Sequence, residues 1–230
     1  MTNKKIIWNF LMDKINNPKG VAGLMGNLYA ESGLNPKNLQ NTFNKKLNMT
    51  DEEYTKAVDK GLYDNFIKDK AGYGIAQWTY WTRKRNLLNY AKARKTSIGD
   101  INTQLEFLWD ELQKYTAVTK ILFATDSIKE ASDIVLTKYE KPSNMNDSVK
   151  KKRCSYGEKI YKECMNEKYV VVTGKSVYIR TGPGVIYGKV GMAHKGESYI
   201  YLETDSISGW NKIEYDGKQC WISGKLTEVI

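Results

Sequence analysis

Histidine is nearly missing from this chain, which carries only His194 in 230 residues, and cysteine is scarce, with Cys154, Cys164 and Cys220 alone. An odd cysteine count implies no disulfide framework, and with no CxxC pair the ligands of a zinc site are lacking. Cys154 and Cys164 fall in one predicted helix, where their spacing separates them by ~15 Å, beyond disulfide reach. No apolar run approaches the ~20 residues of a membrane-spanning helix. The apolar start, Ile6 to Met12, is interrupted by Asn9 and followed by Asp13 with no small-residue cleavage site. It reads as an amphipathic first helix and not as an export signal. A Gly-rich phosphate loop and an RNA-binding signature are also missing, which argues against a nucleic-acid binder. These absences predict a soluble chain without metal, cofactor or membrane insertion, and they leave its oligomeric state open.

What is present is a folding composition: 41% hydrophobic residues, and 12% aromatic with 16 tyrosines. That content supplies real cores and excludes disorder, and flat rings also suit grooves that stack sugars. Lys and Arg outnumber Asp and Glu by 36 to 26, with most of the excess before residue 168. Such a surface favours a polyanionic partner, whether nucleic acid, anionic membrane or the anionic polymers of a bacterial wall.

The hydrophobic period changes once along the chain. Val21, Leu24, Met25, Leu28, then Leu105, Leu108, Trp109, Leu112, then Ile128, Ala131, Val135, Tyr139 are helix stripes. Val149, Tyr156, Ile160 and Cys164 suggest a last helix starting near an Asp147 cap. After Glu167 come short β-branched and aromatic runs at 169–173, 177–179, 198–202, 210–215 and 219–222, which read as strands. Asp216-Gly217 between the last two is a tight hairpin signal, since a type I′ turn needs positive φ at both central residues. The expected fold class is therefore two domains: a mainly α domain over residues 1–165 and a small all-β barrel over 169–230, with the boundary at 165–168. Residues 39–70 read as a helical insertion or flap with no assigned role.

One stretch carries chemistry. From Gly20 to Pro36 the stripe Leu24, Leu28 continues three residues on to Glu31, with Gly33 suited to a left-handed cap and Pro36 after the stop. A helix C-terminus disfavours negative charge and an apolar surround disfavours ionisation, so both would raise the Glu31 pKa and fit it to donate a proton. The residues alone leave open a frayed-end glutamate turned to water.

Ala30-Glu31-Ser32-Gly33-Leu34-Asn35-Pro36 resembles the catalytic segment of goose-type lysozymes, soluble lytic transglycosylases and phage-tail lysozymes. Gly72-Tyr73-Gly74-Ile75-Ala76-Gln77-Trp78-Thr79 is similar to the segment across the cleft from that glutamate, and closest to its phage-tail form. Thr137-Lys138-Tyr139-Glu140-Lys141-Pro142 resembles the late aromatic-Glu-basic-Pro segment of the same group. The resemblance implies a lysozyme-like fold with Glu31 as general acid, Gln77 as a hydrogen-bond partner for an acetamido sugar, and Tyr73, Trp78 and Tyr139 as subsite walls. For Tyr139 core packing is an equal reading, and Glu140 can brace a helix end through a basic residue. Glycosidases commonly use two carboxyls. The second is expected among Asp51, Glu52, Glu53, Asp59, Asp64 and Asp69, or is absent, as in lytic transglycosylases.

Val177-Tyr178-Ile179-Arg180-Thr181-Gly182-Pro183-Gly184, Gly209-Trp210 and Trp221-Ile222-Ser223 resemble the bacterial SH3-like domain, which implies wall binding. Trp210 and Trp221 read as barrel core and His194 as a surface loop residue. Together the resemblances imply an endolysin-like N-acetylmuramidase held on peptidoglycan, made in the cytoplasm and acting at the wall after release through a phage lysis pore or on a virion. The rivals are a lytic transglycosylase and a non-catalytic wall-binding or tail structural protein.

Overall fold

The computed structural model describes residues 2–165 and 168–230. They form two compact units, one of residues 3–162 and the other built on residues 163–230. The expected boundary includes residues 166 and 167, which lie outside the described residues.

The first unit is helical. Helix α1 (Asn3–Ile15) buries Ile7, Trp8, Leu11 and Ile15 along one face. Helix α2 (Pro18–Ser32) follows at once, because the Asn17 side chain accepts from Lys19 N and Gly20 N and Pro18 sits in the first turn, where a missing N–H costs nothing. Ten of its fifteen residues are buried, so α2 is the helix around which the unit packs.

The depth of α2 comes from a glycine stripe the periodicity reading passed over: Gly20, Gly23 and Gly26. A Cβ at these positions would overlap the Leu122 backbone, the Ala131 side chain and the Arg153 carbonyl respectively. Three later helices, α7 (Thr116–Ala124), α8 (Ile128–Ile134) and α9 (Asp147–Met165), supply those surfaces. Two more, α5 (Trp81–Arg94) and α6 (Ile101–Leu112), bury Leu87, Ala91, Leu105, Leu108 and Leu112.

Residues 39–70 are not a loose flap. They hold α3 (Asn41–Leu47) and α4 (Asp51–Asp59), the latter opened by a Thr50–Glu53 capping box. Tyr54 and Phe66 are buried here, and Tyr54 and Tyr63 both donate to Asp69. Asp69 also accepts from Lys84 Nζ at 2.5 Å, and the two side chains are 5% and 0% exposed.

The second unit is a seven-stranded antiparallel sheet: β1 (Tyr169–Val172), β2 (Ser176–Arg180), β3 (Lys189–His194), β4 (Ser198–Thr204), β5 (Trp210–Tyr215), β6 (Lys218–Ser223) and β7 (Thr227–Val229). The order β3-β2-β6-β5-β4-β1-β7 encloses Val170, Val172, Val177, Ile179, Ala193, Ile213, Cys220 and Ile222. The β5–β6 turn has Asp216 at φ 52° and Gly217 at φ 70°, both in the left-handed region the hairpin requires. Strands β3 and β7 were not expected, and His194, exposed as read, is the last residue of β3 and so lies in a strand and not in a loop. Trp210 and Trp221 alternate with the buried Asn211, Ile213, Cys220 and Ile222 and are half-buried, so they are not barrel core. The Lys212 ammonium lies 5.5 Å from the Trp221 ring centroid on that outward side.

Candidate active site

Glu31 occupies the last turn of α2, and the chain then reverses through two left-handed residues, Gly33 at φ 62° and Leu34 at φ 64°. The neighbouring Ser32 hydroxyl donates to the Ile75 carbonyl at 2.9 Å, fastening the helix end to the loop 71–79. Glu31 does not stand in the apolar surround its stripe suggested. Arg153 of α9 donates to its carboxylate and, at 3.3 Å, to Oδ1 of Asn27, one turn back on the same face. Arg153 occupies the Val149, Tyr156, Ile160 stripe of α9, where a buried cation was the signal of a site residue.

The loop 71–79 is built to a fixed shape. Tyr73 and Trp78 exchange backbone hydrogen bonds across a tight turn. Gly74, at φ 77°, faces the Gln104 amide where a Cβ would come within 2.7 Å of it. Gln104 accepts from Ile75 N at 2.9 Å and donates to the Pro36 and Ile98 carbonyls, both at 2.6 Å, so one buried amide joins three segments. Gln77 has a left-handed φ of 44° and donates to Asn38 Oδ1 at 2.9 Å. It lies in the same cleft as Glu31.

Three residues expected to line that cleft do not. Tyr73 is fully buried, its hydroxyl 2.6 Å from Thr55 Oγ1 and its ring against Tyr54 and Phe66. Trp78 is also fully buried, its ring tilted against Phe107 and its Nε1 donating to Glu111 Oε2 at 2.7 Å. Tyr139 is 3% exposed and donates to the same Glu111 oxygen at 2.9 Å. Their polar tips find partners inside, which is why these rings could be buried at all. The aromatic ring that borders the cleft is Tyr80, 63% exposed.

Glu111 gathers Trp78, Tyr139 and the guanidinium of Arg83, which donates to both carboxylate oxygens at 2.9 and 2.8 Å. It continues the Gln104, Leu108 face of α6, and an acid on that face was its only trace in the sequence. The cluster holds Tyr139, the residue before Glu140.

Glu140 shares the cleft, of about 450 Å³, with Glu31, Gln77 and Arg83. It ends a π-helix, Val135–Glu140, after which Lys141 turns left-handed at φ 49°. Its Oε1 is buried without a hydrogen-bond partner, so it does not brace a helix end through that oxygen. Burial first, then the Glu31 charge, pushes its carboxyl up to about 8 against the opposing pull of Arg83 and Arg153.

None of the six acids proposed as second carboxyl lies in this cleft. Asp51 accepts from Leu39 N and Asn44, Glu52 pairs with Lys37, and Glu53 closes the α4 capping box. Asp59 accepts from Ser97 and Ile98 N, Asp69 holds Lys84, and Asp64 is exposed. Among the described residues no three His, Cys, Asp or Glu side chains are grouped to hold a metal ion, and no helix is long and apolar enough to cross a membrane.

The cleft of the helical unit thus sets two carboxyls, Glu31 and Glu140, beside Arg83, with Arg153 paired to Glu31, and the same chain carries a small antiparallel barrel. Residues 2–164 match the phage tail lysozyme family and residues 175–228 the bacterial SH3 domain family. The chain belongs to the phage tail lysozyme family. It is also 25% identical over 162 residues to morphogenesis protein 1 of Bacillus phage B103, an alignment covering 67% of this chain and 38% of that protein.

Proposed function

We propose that the helical domain is an N-acetylmuramidase, hydrolysing the β-1,4 bond between N-acetylmuramic acid and N-acetylglucosamine in peptidoglycan, and that the barrel holds it on the wall. The observation that carries this reading is Glu31 in a cleft with Gln77, presented by a helix end fastened to the opposite loop through Ser32. Glu31 gives its proton to the leaving glycosidic oxygen, and water captures the cation at C1. Tyr80, exposed at the rim, takes the stacking role first given to Trp78. The bacterial SH3 match and the half-buried Trp210 and Trp221 support wall binding by the barrel, and the net charge of +10 suits an anionic wall. The enzyme would then act outside the cytoplasm, at the wall.

Glu31→Gln keeps the side-chain volume but removes the proton donor together with the charge that faces Arg153, so it should abolish nearly all lysis of purified walls while wall binding persists. Digestion of defined peptidoglycan followed by mass analysis should give reducing N-acetylmuramic acid ends. Anhydro ends would make the enzyme a lytic transglycosylase with Glu31 in the same role, and retained lysis by Glu31→Gln would remove Glu31 from the chemistry.

A further inference from the structure

We propose that Glu140 is the second carboxyl of the reaction, a positioning residue that shares a single proton with Glu31 and holds it while Glu31 is paired with Arg153. The inference rests on the reading of Glu31 as proton donor.

Three independent features of the fold bring Glu140 to this place. It lies in the same cleft as Glu31. A π-helix, rare in itself and frequent at functional sites, ends on it and sets its orientation. One of its oxygens is buried with no partner, whereas the buried Asn27 amide and Glu111 carboxylate are hydrogen-bonded. A buried carboxylate without partners is costly, whereas a protonated carboxyl there is not.

The charged groups facing Glu140 come from four helices. They are Glu31 of α2, Arg83 of α5, Glu111 of α6 and Arg153 of α9. Glu111 is engaged by Arg83, and Glu31 by Arg153. Two acids and two cations are thereby paired, which leaves Glu140 as the acid without a counter-ion of its own. The resting proton of the cleft belongs on it, and its raised titration is consistent with that placement.

The cycle balances in one proton. It passes from Glu140 to Glu31 directly or through one water, as substrate oxygens displace the Arg153 contact. The Glu31 O–H bond then breaks as the proton moves to the glycosidic oxygen, and the C1–O bond breaks to release the leaving sugar with a free hydroxyl. Water adds its oxygen to C1, and the proton it sheds returns to the Glu31–Glu140 pair. Without Glu140 the proton would leave the cleft at a lower pH, because removing one acid of a coupled pair lowers the titration of the other.

The test is the pH profile of wall lysis by the full chain. Glu140→Gln should move the alkaline limb down by at least about one pH unit and cut the rate at pH 7 by roughly tenfold or more, while Glu140→Asp restores part of the limb. In the wild-type protein, carboxyl 13C NMR should show Glu140 titrating above the ordinary range, and Glu31→Gln should bring its midpoint down. The NMR arm decides the matter even should Glu140→Gln fail to fold. An unchanged pH profile in folded Glu140→Gln, or a Glu140 midpoint indifferent to Glu31→Gln, overturns the sharing. Loss of lysis in Glu31→Gln with an unchanged Glu140→Gln profile sinks this proposal alone; lysis by Glu31→Gln sinks the reading beneath it.

Discussion

Glu140 makes folding and acid–base chemistry pull in opposite directions. Its folded titration near 8 stands above the ordinary glutamate value of 4.5, so between those values the folded chain keeps a proton that the unfolded chain has released. Stability contributed at this position is therefore full below about pH 4.5 and declines as pH rises towards 8. Glutamine has no such dependence. Glu140→Gln should leave thermal stability unchanged near pH 4 and raise it at pH 8, by on the order of a few kcal/mol or several degrees. Melting curves at the two pH values check the sign; an equal shift at both would locate the effect in packing and not in ionisation. Little of this was readable in advance. Glu140 stood in a recognisable segment, but its environment is made by Glu31, Arg83, Glu111 and Arg153, which are distant in sequence and meet only through tertiary packing.

At the scale of elements, the helix and strand periods located most of what the structure contains, and Gly33 marked the end of α2. Periodicity could not say which aromatic residues face inward. Tyr73 and Trp78 lie in a loop without a period, and their burial depends on Thr55 and Glu111, partners on other helices. The acids at 51–69 carry the same lesson: Asp51, Glu53 and Asp59 hold backbone ends, Glu52 and Asp69 pair with lysines, and Asp64 is exposed. That pair is itself testable. Lys84 donates to Asp69, to the Tyr54 hydroxyl at 3.2 Å and to the Ala71 carbonyl at 2.9 Å, and so pins the start of the cleft loop. Burial pulls the Lys84 ammonium below its ordinary titration, while Asp69 pulls the other way. Lys84→Met should cost about 3–5 kcal/mol by leaving Asp69 buried and unpaired, and Lys84→Met with Asp69→Asn should recover most of it. Urea unfolding of the single and double variants measures the difference; a double variant no better than the single would place the cost in lost packing.

On the scale of the whole molecule, the change from helical to strand periods corresponds to a helical N-terminal part and an antiparallel sheet in the C-terminal part, and the barrel was plain from its turn and strand chemistry. Its unexpected strands β3 and β7 are short or carry few buried residues, which is why no alternation announced them. If the barrel supplies local concentration without touching the reacting bond, residues 1–165 alone should cleave soluble glycan fragments at the full rate and lose at least about tenfold on intact walls. Turbidity loss and fragment digestion with both forms compare these directly; equal activity on intact cells would deny the barrel an anchoring role. A different consequence follows from the π-helix at 135–140. Its extra residue is a matter of count and not of side-chain identity, so an alanine scan of residues 135–138 would pass over it. Wound as an ordinary α-helix with all its residues kept, the segment would turn Glu140 by about 100°. Every side chain would survive that rewinding, and the cleft would be left with one carboxyl.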